Sequence, residues 1–579
     1  MVNITINDIQ VTAQENSTIM EAAKTAGIDI PHLCYLKEIN EIGACRLCCI
    51  EVEGEEKLVP ACDNVVQEGM KITTNSPRVR NACRTNLELI MSQHDGQCTA
   101  CVRSGNCQLQ KLANDFNLLE SSFQKELPAG KAAQWEKDFP LIRDAGKCVK
   151  CMRCIQICNK IQNLGVWDLV GTGSRTRVDV SEHRTISQTD CSQCGQCIVH
   201  CPVGALRERD DVDKVLAQLE NPDIVTVAHI APAVRTAWAE HLGLPEDSAT
   251  VSLLASALKQ LGFDYVFDTS FSADLTIMEE GSEFLEKKTG GKLEQYPLFT
   301  SCCPGWVRFV KSQYPQLVGQ LSTAKSPQQM LGAIVKSYFA EKQGIAPEKI
   351  RCVSIMPCVA KKGEYQLPAM HKDGIRDIDY SLTTRELLRL FKAERIHVEN
   401  LKEVPFDNLL KEYTGAGVIF GSTGGVMEAA LRSAYYLVTG KNPDPDDFQT
   451  VRATDAKDNQ PWRETEFDIN GTTVRTAVTS GLGNARKLCE AILRGEAHYD
   501  FVEVMACPGG CAGGGGQPIH CDDKSRTKDR ADILYKLDKH MPIRFSHENE
   551  DVKRLYQEYL GKPLSEKAEE LLHTNHYNH

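Results

Sequence analysis

The sequence predicts a multidomain α/β protein in which several small cysteine-rich modules precede one large α/β domain. Its 579 residues are too many for one hydrophobic core, so we expect about three to five domains. Seventeen of the 25 cysteines lie within the first 201 residues. Beyond them, apolar runs of strand type alternate with helical stretches, at Asp223–His229, Asp264–Asp268, Ile350–Ile355 and Ala416–Gly421. These observations separate a metal-dense N-terminal third from a differently built remainder.

The composition excludes several broad classes of protein. Hydrophobic residues make up 42% and charged residues 25%, which is typical of globular chains and not of disordered or fibrous ones. The net charge of −12, without a basic stretch, argues against nucleic acid as the main partner. No uncharged apolar run reaches the ~18–20 residues of a membrane span, and the N-terminus shows no signal segment. We therefore expect a cytoplasmic chain without a membrane, whose cysteines bind metal and do not form a disulfide scaffold.

The first module, residues 1–78, is predicted to be a β-grasp domain of the plant-ferredoxin type. Alternating residues over Val2–Ile6 and Gln10–Ala13 indicate a hairpin, and Ser17 is expected to cap a helix over residues 18–26. A long loop, a CxxC pair and a distant fourth thiolate are typical of a 2Fe–2S site, although the first gap is wider than usual. A structural zinc ion is the alternative. The predicted ligands are Cys34, Cys45, Cys48 and Cys62.

The second module, residues 79–125, contains one histidine and three cysteines in the stretch HDGQCTACVRSGNC. A Cys3His zinc site uses the same ligands. A 4Fe–4S cluster is the preferred interpretation, because the segment lies between two predicted iron–sulfur modules where a redox-silent ion has no use. Imidazole in place of a thiolate tends to raise a cluster's potential. The predicted ligands are His94, Cys98, Cys101 and Cys107.

The third module, residues 140–210, repeats the spacing C-x2-C-x2-C-x3-C. This spacing is typical of two-cluster ferredoxins, in which the fourth cysteine of each run binds the other cluster. Paired zinc sites would instead favour separated CxxC pairs. One 4Fe–4S cluster is therefore assigned to Cys148, Cys151, Cys154 and Cys201, and the second to Cys158, Cys191, Cys194 and Cys197.

In these modules every coordination position would be filled by a protein ligand, so they predict an electron relay and not a catalytic centre. Bond breaking and bond formation would then take place in residues 211–520. Three motifs stand out there: TSCCPGW, MPCVAKKGE and EVMACPGGCAGGGGQP. They place four cysteines on three loops, enough for a further cubane, and glycines that let the backbone approach a bulky ligand. The cysteines are Cys303, Cys358, Cys507 and Cys511. Residues 521–579 are predicted to form a helical arm.

With these motifs the chain resembles the iron-only (FeFe) hydrogenases of the large clostridial type over nearly its whole length. The three motifs match the family's H-cluster signatures, and the upstream motifs follow the family's order. The resemblance implies reversible oxidation of H2 to protons and electrons. Cys303, Cys358, Cys507 and Cys511 would hold the 4Fe–4S part of an H-cluster. Cys511 would also bridge to a diiron unit with CO, cyanide and azadithiolate, built by maturation proteins. Three accessory 4Fe–4S clusters and one 2Fe–2S cluster would complete the set.

The resemblance also implies roles for residues around the cluster. Cys302, Glu280, Ser322 and Glu283 would form a proton path, and Lys287 stands where the family commonly has Arg. Lys361 would donate to a cyanide ligand. The residues expected to line the pocket are Met356, Met505, Ala231, Pro232, Ser326, Pro327 and Gln328. Independently, Glu280 and Glu283 are three residues apart and so share a helix face, for which a solvated surface is the plain alternative.

The motifs disfavour two alternative functions, and the electron partner stays open. A non-catalytic relay subunit of an NADH dehydrogenase-like complex would have similar upstream motifs but lack TSCCPGW and CPGGC. An iron–sulfur assembly or sensory protein would keep the cubane ligands without the residues of the diiron unit. The electron partner is either ferredoxin alone or flavin/NAD(P)-binding subunits of a hetero-oligomer, possibly an electron-bifurcating one, which the resemblance favours. The remaining thiols are expected to be plain: Cys49, Cys83, Cys352, Cys489 and Cys521.

Overall fold

The computed structural model describes residues 1–119, 122–123, 135–245, 248–452, 460–522 and 524–577. Among these residues, no helix is both long enough and apolar enough to cross a membrane. The architecture is multidomain α/β, as expected. A small sheet domain and two cysteine-rich modules precede two four-stranded sheets with helices packed on them.

The N-terminal domain is a five-stranded sheet with one helix. Its elements are β1 (Val2–Ile6), β2 (Ile9–Ala13), α1 (Ile19–Thr25), β3 (Cys49–Val52), β4 (Val59–Pro60) and β5 (Lys71–Thr73). The strands lie in the order β2-β1-β5-β3-β4, and β1 and β2 form the predicted antiparallel hairpin. Asn7 and Asp8 turn the chain with positive φ, a conformation that these two residue types tolerate.

The cap of α1 differs from the prediction. The hydroxyl of Thr18, and not that of Ser17, accepts a hydrogen bond from the Glu21 amide at 3.2 Å. Ser17 instead donates to the Gln14 carbonyl at 2.7 Å and closes the preceding turn. Thr18 is the cap because its side chain lies three residues before the free amide of the first helical turn.

Two helices frame the second module, α2 (Pro77–Ser92) and α3 (Gln108–Asp115). Ser76 caps α2 by accepting from the Val79 amide at 3.1 Å, and Pro77 is its first residue. The loop between the helices carries three of the predicted ligands, and the fourth precedes α3 directly. In order these are His94, Cys98, Cys101 and Cys107.

The third module repeats itself in backbone as well as in sequence. Its elements are β6 (Leu141–Arg143), α4 (Arg153–Gln156), β7 (Trp167–Val170), β8 (Arg177–Val180), α5 (Gln196–Val199) and β9 (Leu206–Glu208). β6 pairs with β9 and β7 with β8, both antiparallel. Met152 and Gly195 precede α4 and α5 in the left-handed conformation, with φ of 62° and 74°. Each turn places the third cysteine of its run, Cys154 or Cys197, in the first turn of the short helix.

The large domain contains two four-stranded sheets. Its strands are β10 (Val225–Ile230), β11 (Tyr265–Asp268), β12 (Leu298–Phe299), β13 (Ile350–Met356), β14 (His371–Lys372), β15 (Ile375–Arg376), β16 (Tyr380–Thr383), β17 (Arg463–Ile469), β18 (Thr472–Ser480) and β19 (Phe501–Met505). The first sheet is parallel, in the order β11-β10-β13-β16. The second has the order β12-β19-β18-β17, with only β17 antiparallel. β14 and β15 form a separate hairpin.

Helices cover these sheets and connect their strands. They are α6 (Val212–Leu219), α7 (Val251–Gln260), α8 (Thr269–Thr289), α9 (Pro304–Gln313), α10 (Pro327–Ile334), α11 (Ala340–Gln343), α12 (Lys361–Glu364), α13 (Thr384–Ala393), α14 (Gly415–Ile419), α15 (Gly425–Thr439) and α16 (Leu482–Leu493). Helix α8 lies at the centre of the domain, because most of its first sixteen residues are buried. It contacts α10, α14 and α15.

The C-terminal arm is helical, as predicted, with α17 (Thr527–His540), α18 (Glu550–Leu555) and α19 (Glu566–Leu572). Val552 and Leu555 are buried in the same apolar cluster as residues of α8 and α10. After α19 the chain pairs antiparallel with residues 323–325. The Lys325 amide donates to the Leu572 carbonyl, and the Thr574 amide to the Thr323 carbonyl, both at 2.7 Å.

Residues 416–421 do not form the predicted strand, because α14 occupies this stretch. The Thr414 hydroxyl caps it, accepting from the Gly417 amide at 3.4 Å. A side chain at Gly417 would collide with the Ser270 carbonyl of α8, so α14 lies in close contact with that helix. A short, fully buried apolar run has no polar face, and periodicity therefore cannot distinguish a strand from a helix here.

Candidate active site

The four cysteines of the large domain lie beyond the ends of parallel strands. Cys303 lies between β12 and α9, Cys358 follows β13, and Cys507 follows β19. Cys511 lies in the glycine-rich loop four residues further on. β12 and β19 are neighbouring parallel strands, so Cys303 and Cys507 lie at one edge of the second sheet. Cys358 follows a strand of the first sheet, and its loop meets the others through the close approach of Pro357 and Gly514.

The four thiols interact with one another. Burial raises the pKa of each, and charge interactions join Cys358 to Cys303 and Cys511, and Cys507 to Cys303 and Cys358. Yet Cys303, Cys358 and Cys511 are only partly covered by protein atoms, and all four thiols are free. This arrangement fits a buried cluster bound by four thiolates.

Glycines let the cysteine loops approach one another closely. A Cβ on Gly514 would collide with the Pro357 carbonyl of the second motif. A Cβ on Gly515 would collide with the Cys194 carbonyl of the third module, and Cys507 Sγ lies 3.6 Å from that carbonyl. The CPGGC loop is therefore in direct contact both with the MPC loop and with the ferredoxin-like module.

Lys361 is fixed beside Cys302. Its Nζ donates to the Cys302 carbonyl at 3.0 Å and to both carboxyl oxygens of Glu364 at 3.0 and 3.2 Å. Glu364 also accepts from Ser326 at 2.9 Å and from Gln328 at 3.0 Å. Burial alone would lower the pKa of Lys361, but the charges of Glu364, Cys358 and Cys302 and the hydrogen bond to Glu364 together outweigh it, and the pKa is raised. Lys361 is therefore a fixed, protonated donor.

The other predicted pocket residues lie at strand ends and at one helix start. Met356 and Met505 are the last residues of β13 and β19, and both are buried. The remaining ones directly follow β10 or begin α10: Ala231, Pro232, Ser326, Pro327 and Gln328. Gln328 is held by the Ser354 hydroxyl, which donates to its side-chain oxygen at 2.7 Å.

The outer residues of the predicted proton path form a continuous chain of contacts. The Ser322 hydroxyl donates to Glu283 Oε2 at 2.7 Å, and the Thr323 amide donates to the same oxygen at 3.1 Å. Lys287 Nζ lies 2.8 Å from Glu283 Oε1. Glu283 and Lys287 line a surface cavity of about 620 Å³. Lys287 binds as a point charge, without the planar fork that an arginine would offer.

Glu280 is the inner carboxyl of the path, one turn before Glu283 on α8. It is fully buried, and neither of its oxygens makes a hydrogen bond within the described residues. Burial, followed by repulsion from Glu283, raises the pKa of Glu280 to about 8. Burial and then the charge of Glu280 also raise the pKa of the Cys302 thiol. The two groups therefore act on each other, and Glu280 is protonated at neutral pH.

Two buried titratable residues at this site, Glu503 and His229, were not predicted from the sequence. Glu503 caps α15, accepting from the Gly424 and Met427 amides at 2.7 Å, and burial raises its pKa to about 7. His229 lies fully buried on β10, and burial followed by the charge of Lys361 lowers its pKa to about 3. Glu503 opens the third motif, but the motif's cysteine and glycine spacing says nothing about a helix cap, and His229 belongs to no motif, so only the fold reveals what they contact.

In the first module, the four predicted ligands lie in contact with one another. Cys34 Sγ is 3.4 Å from Cys45 Sγ. The Cys62 thiol interacts with those of Cys34 and Cys48. Among the described residues, no three His, Cys, Asp or Glu side chains are placed to hold a single metal ion.

In the second module, His94 Nδ1 donates to the Lys147 carbonyl at 3.0 Å, which in the neutral ring leaves the lone pair on Nε2. His94 lines a cavity of about 830 Å³ with the three cysteines of its motif. Cys521, expected to be a plain thiol, lines the same cavity, and its thiol donates to Asn106 Oδ1 at 2.8 Å. The other thiols expected to be plain are buried: Cys49, Cys83, Cys352 and Cys489.

The third module pairs its cysteines across the repeat. Burial is the main cause that raises the pKa of these thiols, and the charges of neighbouring thiols raise it further. Cys201 interacts with the thiols of the first run, which are Cys148, Cys151 and Cys154. Cys158 interacts instead with Cys191 and Cys194. The fourth cysteine of each run thus lies beside the other run.

Family models match successive parts of the chain. The model described as iron only hydrogenase large subunit, C-terminal domain, matches residues 224–515. The 2Fe-2S iron-sulfur cluster binding domain matches residues 1–77, and the NADH-ubiquinone oxidoreductase-G iron-sulfur binding region matches residues 84–122. The 4Fe-4S dicluster domain matches residues 141–205, and the iron hydrogenase small subunit matches residues 524–579.

Relatives extend the match to the full length. The chain is 45% identical to the NADP-reducing hydrogenase subunit HndD of Solidesulfovibrio fructosivorans, over 100% of this chain and 99% of that protein. It is 38% identical to iron hydrogenase 1 of Clostridium pasteurianum, over 99% of both. A solved structure of the FeFe-hydrogenase HydA1 of Chlamydomonas reinhardtii matches with a TM-score of 0.56 and 43% identity, covering 63% of this chain and 98% of that one. The chain therefore belongs to the iron-only (FeFe) hydrogenases, oxidoreductases acting on hydrogen, and carries 2Fe–2S, NADH dehydrogenase G-like and 4Fe–4S dicluster domains ahead of the hydrogenase domain.

Proposed function

We propose that the chain interconverts H2 with two protons and two electrons at an H-cluster held by Cys303, Cys358, Cys507 and Cys511. The observation that carries this proposal is the convergence of four free, desolvated thiols from three loops. When bound, the H-cluster supplies an open iron position at which H2 is split or formed. The protein's own residues fix the cluster, exclude water and move protons.

Lys361 and the pocket residues orient the diiron unit in this proposal. Lys361 is a charged donor fixed by Glu364, and so suits an anionic cyanide ligand. Met356 and Met505 are buried, flexible side chains that can pack against an irregular group and keep water out. Ala231, Pro232, Ser326, Pro327 and Gln328 would form the remaining wall.

Protons would travel from the diiron unit through Cys302, Glu280, Ser322 and Glu283 when H2 is oxidised, and in the reverse direction when it is formed. Cys302 and Glu280 are electrostatically coupled, and Ser322 donates to Glu283 at 2.7 Å. Each step moves a proton between groups that can both give and accept one. Lys287 would complete the outer end by orienting Glu283.

Electrons would follow a forked relay of one 2Fe–2S and three 4Fe–4S clusters. Asn40 Nδ2 donates to the carbonyls of Cys34 at 2.7 Å and Cys151 at 2.9 Å, which joins the first module to the third. The second module also contacts the third module, because a Cβ on Gly204 of the third module would collide with Cys101 Sγ of the second. The second cluster of the third module would then pass electrons to the H-cluster through the contact between Cys194 and Cys507.

Infrared spectroscopy of the matured protein tests the active-site proposal. We expect CO and cyanide stretching bands together with H2 evolution from reduced viologen. Cys358→Ala should lose both, whereas Cys352→Ala, a buried thiol on the preceding strand outside the ligand set, should keep both. Absence of the bands and of activity after maturation would contradict the proposal. Iron, acid-labile sulfide and zinc analysis of the same samples distinguishes the proposed clusters from zinc in the first two modules.

For the electron partner, we propose flavin- and NAD(P)-binding subunits in a hetero-oligomer, with ferredoxin as a further donor or acceptor. The support is the full-length similarity to a protein named as a subunit of an NADP-reducing hydrogenase. A stand-alone, ferredoxin-dependent enzyme is the second candidate, because the chain is also similar over its full length to a protein named iron hydrogenase 1, a name that mentions no subunit. Native mass of the untagged protein from its own cells decides between them, because a persistent monomer contradicts the multi-subunit proposal. Whether such a complex bifurcates electrons is tested by adding NAD(P)H and ferredoxin together and separately.

The proposed division of the chain follows the modules. Residues 1–78, 79–125 and 140–210 would bind the accessory clusters, residues 211–520 the H-cluster, and residues 521–579 would form the arm. Limited proteolysis with mass analysis tests these boundaries.

A further inference from the structure

A glycine segment, residues 514–517, lies between two loops that carry predicted ligands of different clusters. A Cβ on Gly515 would collide with the Cys194 carbonyl of the third module. A Cβ on Gly516 would lie only 2.9 Å from the Cys358 amide of the large domain. The position of the glycine segment therefore sets how closely these two ligand loops approach each other.

The glycine segment has almost no side chains of its own, so its neighbours have to bind its backbone. Arg385, the second residue of α13, binds three consecutive carbonyls. Its guanidinium donates to the carbonyls of Gly515 and Gln517, both at 2.7 Å, and its amide donates to that of Gly516 at 3.3 Å. The Thr384 hydroxyl donates to the side-chain oxygen of Gln517 at 3.0 Å. The start of α13 therefore holds the segment in place.

Arg385 also reaches across to the third module. Its Nε and Nη2 donate to Glu208 Oε2 at 3.1 and 2.7 Å. Glu208 is the last residue of β9 and is 1% exposed. Burial alone would raise its pKa, but the charges and hydrogen bonds of Arg385 and Arg389 outweigh burial, and the pKa is lowered. One guanidinium thus joins the glycine segment to an ionised carboxylate of the module that carries Cys194.

The neighbouring Arg389 shows what is specific to Arg385. It donates to the other oxygen of Glu208 at 2.8 Å and to Asp210 at 3.3 Å, so it stabilises the same carboxylate. Among the described residues, these carboxylates are its hydrogen-bond partners, and it makes no hydrogen bond to the glycine segment. What Arg385 adds is the link between Glu208 and that segment.

We propose that Arg385 is a positioning residue of the electron relay, which holds the glycine segment against the Cys194 loop and so fixes the distance that electrons cross between the third module and the H-cluster. Electron tunnelling slows exponentially with distance, so a small shift of the segment has a large effect on the rate. A guanidinium suits this role because its rigid fork binds several acceptors at once. The inference rests on the proposed relay and H-cluster.

The test compares Arg385→Gln with Arg389→Gln in the matured full-length protein. Oxidised samples are mixed rapidly with H2, and electron paramagnetic resonance follows how fast the accessory clusters are reduced. We expect this reduction to be about tenfold slower in Arg385→Gln and unchanged in Arg389→Gln. Both variants should keep the infrared bands of the active site and the formation of HD from H2 in D2O, because neither needs electron transfer to the third module.

Arg385→Lys separates position from charge. Lysine keeps a positive charge beside Glu208 but, as a single point donor, cannot bind Glu208 and both carbonyls in the same fixed geometry. Reduction of the accessory clusters should therefore be slow in this variant also. Normal reduction in Arg385→Gln or in Arg385→Lys would overturn the inference, and so would equal slowing in Arg389→Gln.

Loss of the infrared bands or of HD formation in both Arg385 variants would also overturn it, because Arg385 would then be needed for the active site itself and not for the spacing. Failure of the relay gives a different result. If the unsubstituted protein forms HD but H2 does not reduce its accessory clusters, the proposed relay is wrong and the inference fails with it.

Discussion

The N-terminal third and the large domain place their cysteines by different means. In the third module, eight cysteines lie within the stretch from Cys148 to Cys201, and short loops bring them together. In the large domain, four cysteines come from loops between Cys303 and Cys511, and two sheets have to form before they meet. Accessory sites are therefore encoded by local spacing, and the site of hydrogen chemistry by the fold.

The two regions also differ in how they are stabilised. The apolar core around the third module contains several predicted cluster ligands among its buried residues. The large domain and its arm are instead joined by apolar clusters and by buried ion pairs. We infer that the relay region depends on its clusters to fold, as small metal-binding domains commonly do, whereas the large domain does not.

The largest expected effect on stability concerns a buried ion-pair network between α15 and α17. Arg432 is fully buried and binds Glu428 at 2.6 Å and Asp538 at 2.9 Å. Arg432→Ala leaves two buried carboxylates without this partner and should destabilise the large domain by about 3–5 kcal/mol. Hydrogen exchange of the α15 and α17 amides measures this change.

The control for Arg432 is Arg475, whose exposed pair with Glu466 spans 3.0 Å. Arg475→Ala should change stability by only about 0.2–1 kcal/mol. Equal effects of the two substitutions would contradict the stated role of burial. If removal of iron exposed these amides as strongly as Arg432→Ala does, the large domain would depend on its cluster as the relay region does.

The next largest effect is expected for Glu280→Gln, which should raise stability at alkaline pH but abolish activity. Its folded-state pKa of about 8 lies above the usual value of 4.5, so the stability contributed by the protonated carboxyl is lost as pH rises from about 4.5 to about 8 and the loss is complete above that. Glu280→Gln removes this ionisation and should raise stability at alkaline pH by on the order of 3 kcal/mol. It should also block proton transfer, so that H2 evolution is lost.

Thermal unfolding between pH 6 and 9 checks this prediction. The variant should be the more stable protein at the alkaline end, with the difference shrinking as pH falls. A constant difference across this range would contradict the prediction, because it would mean that Glu280 is already ionised in the folded protein at the acidic end of the range. Glu286→Gln, an exposed residue of the same helix, is the control and should leave the profile unchanged.

The smallest expected effect is on the reduction potential of the accessory cluster beside Cys191. Arg308 on α9 donates through Nε to the Cys191 carbonyl at 3.3 Å and pairs with no carboxylate among the described residues. Its positive charge should stabilise the reduced, more negative form of the neighbouring cluster. Arg308→Gln should lower the reduced-to-oxidised ratio at a fixed potential about tenfold, equivalent to ~59 mV for one electron.

A redox titration followed by electron paramagnetic resonance measures this ratio. The infrared bands of the active site should stay in place, because Arg308 acts on the relay. A cluster potential that does not move would show that Arg308 serves only to hold the Cys191 loop.

Sequence spacing predicted the modules, the candidate ligands and the helix that carries Glu280 and Glu283, because each of these is a local pattern. It failed at residues 416–421, where a buried apolar run carries no periodic signal. It also missed Glu503, His229 and Arg385. Arg385 and Gln517 are 132 residues apart and meet only because the glycine segment lies against α13. Such contacts depend on tertiary packing, which spacing does not record.

The central claim is that protons move through the large domain and electrons through the N-terminal modules. Isotope exchange tests it most directly, because formation of HD from H2 in D2O requires heterolysis and proton transfer but no net electron flow. Cys302→Ala should abolish HD formation. Cys151→Ser removes a predicted ligand of the first 4Fe–4S cluster of the third module, and this variant should still form HD. Its H2 oxidation coupled to an external acceptor should fall at least about tenfold. Normal HD formation in Cys302→Ala, or its loss in Cys151→Ser with the infrared bands intact, would contradict this division of roles.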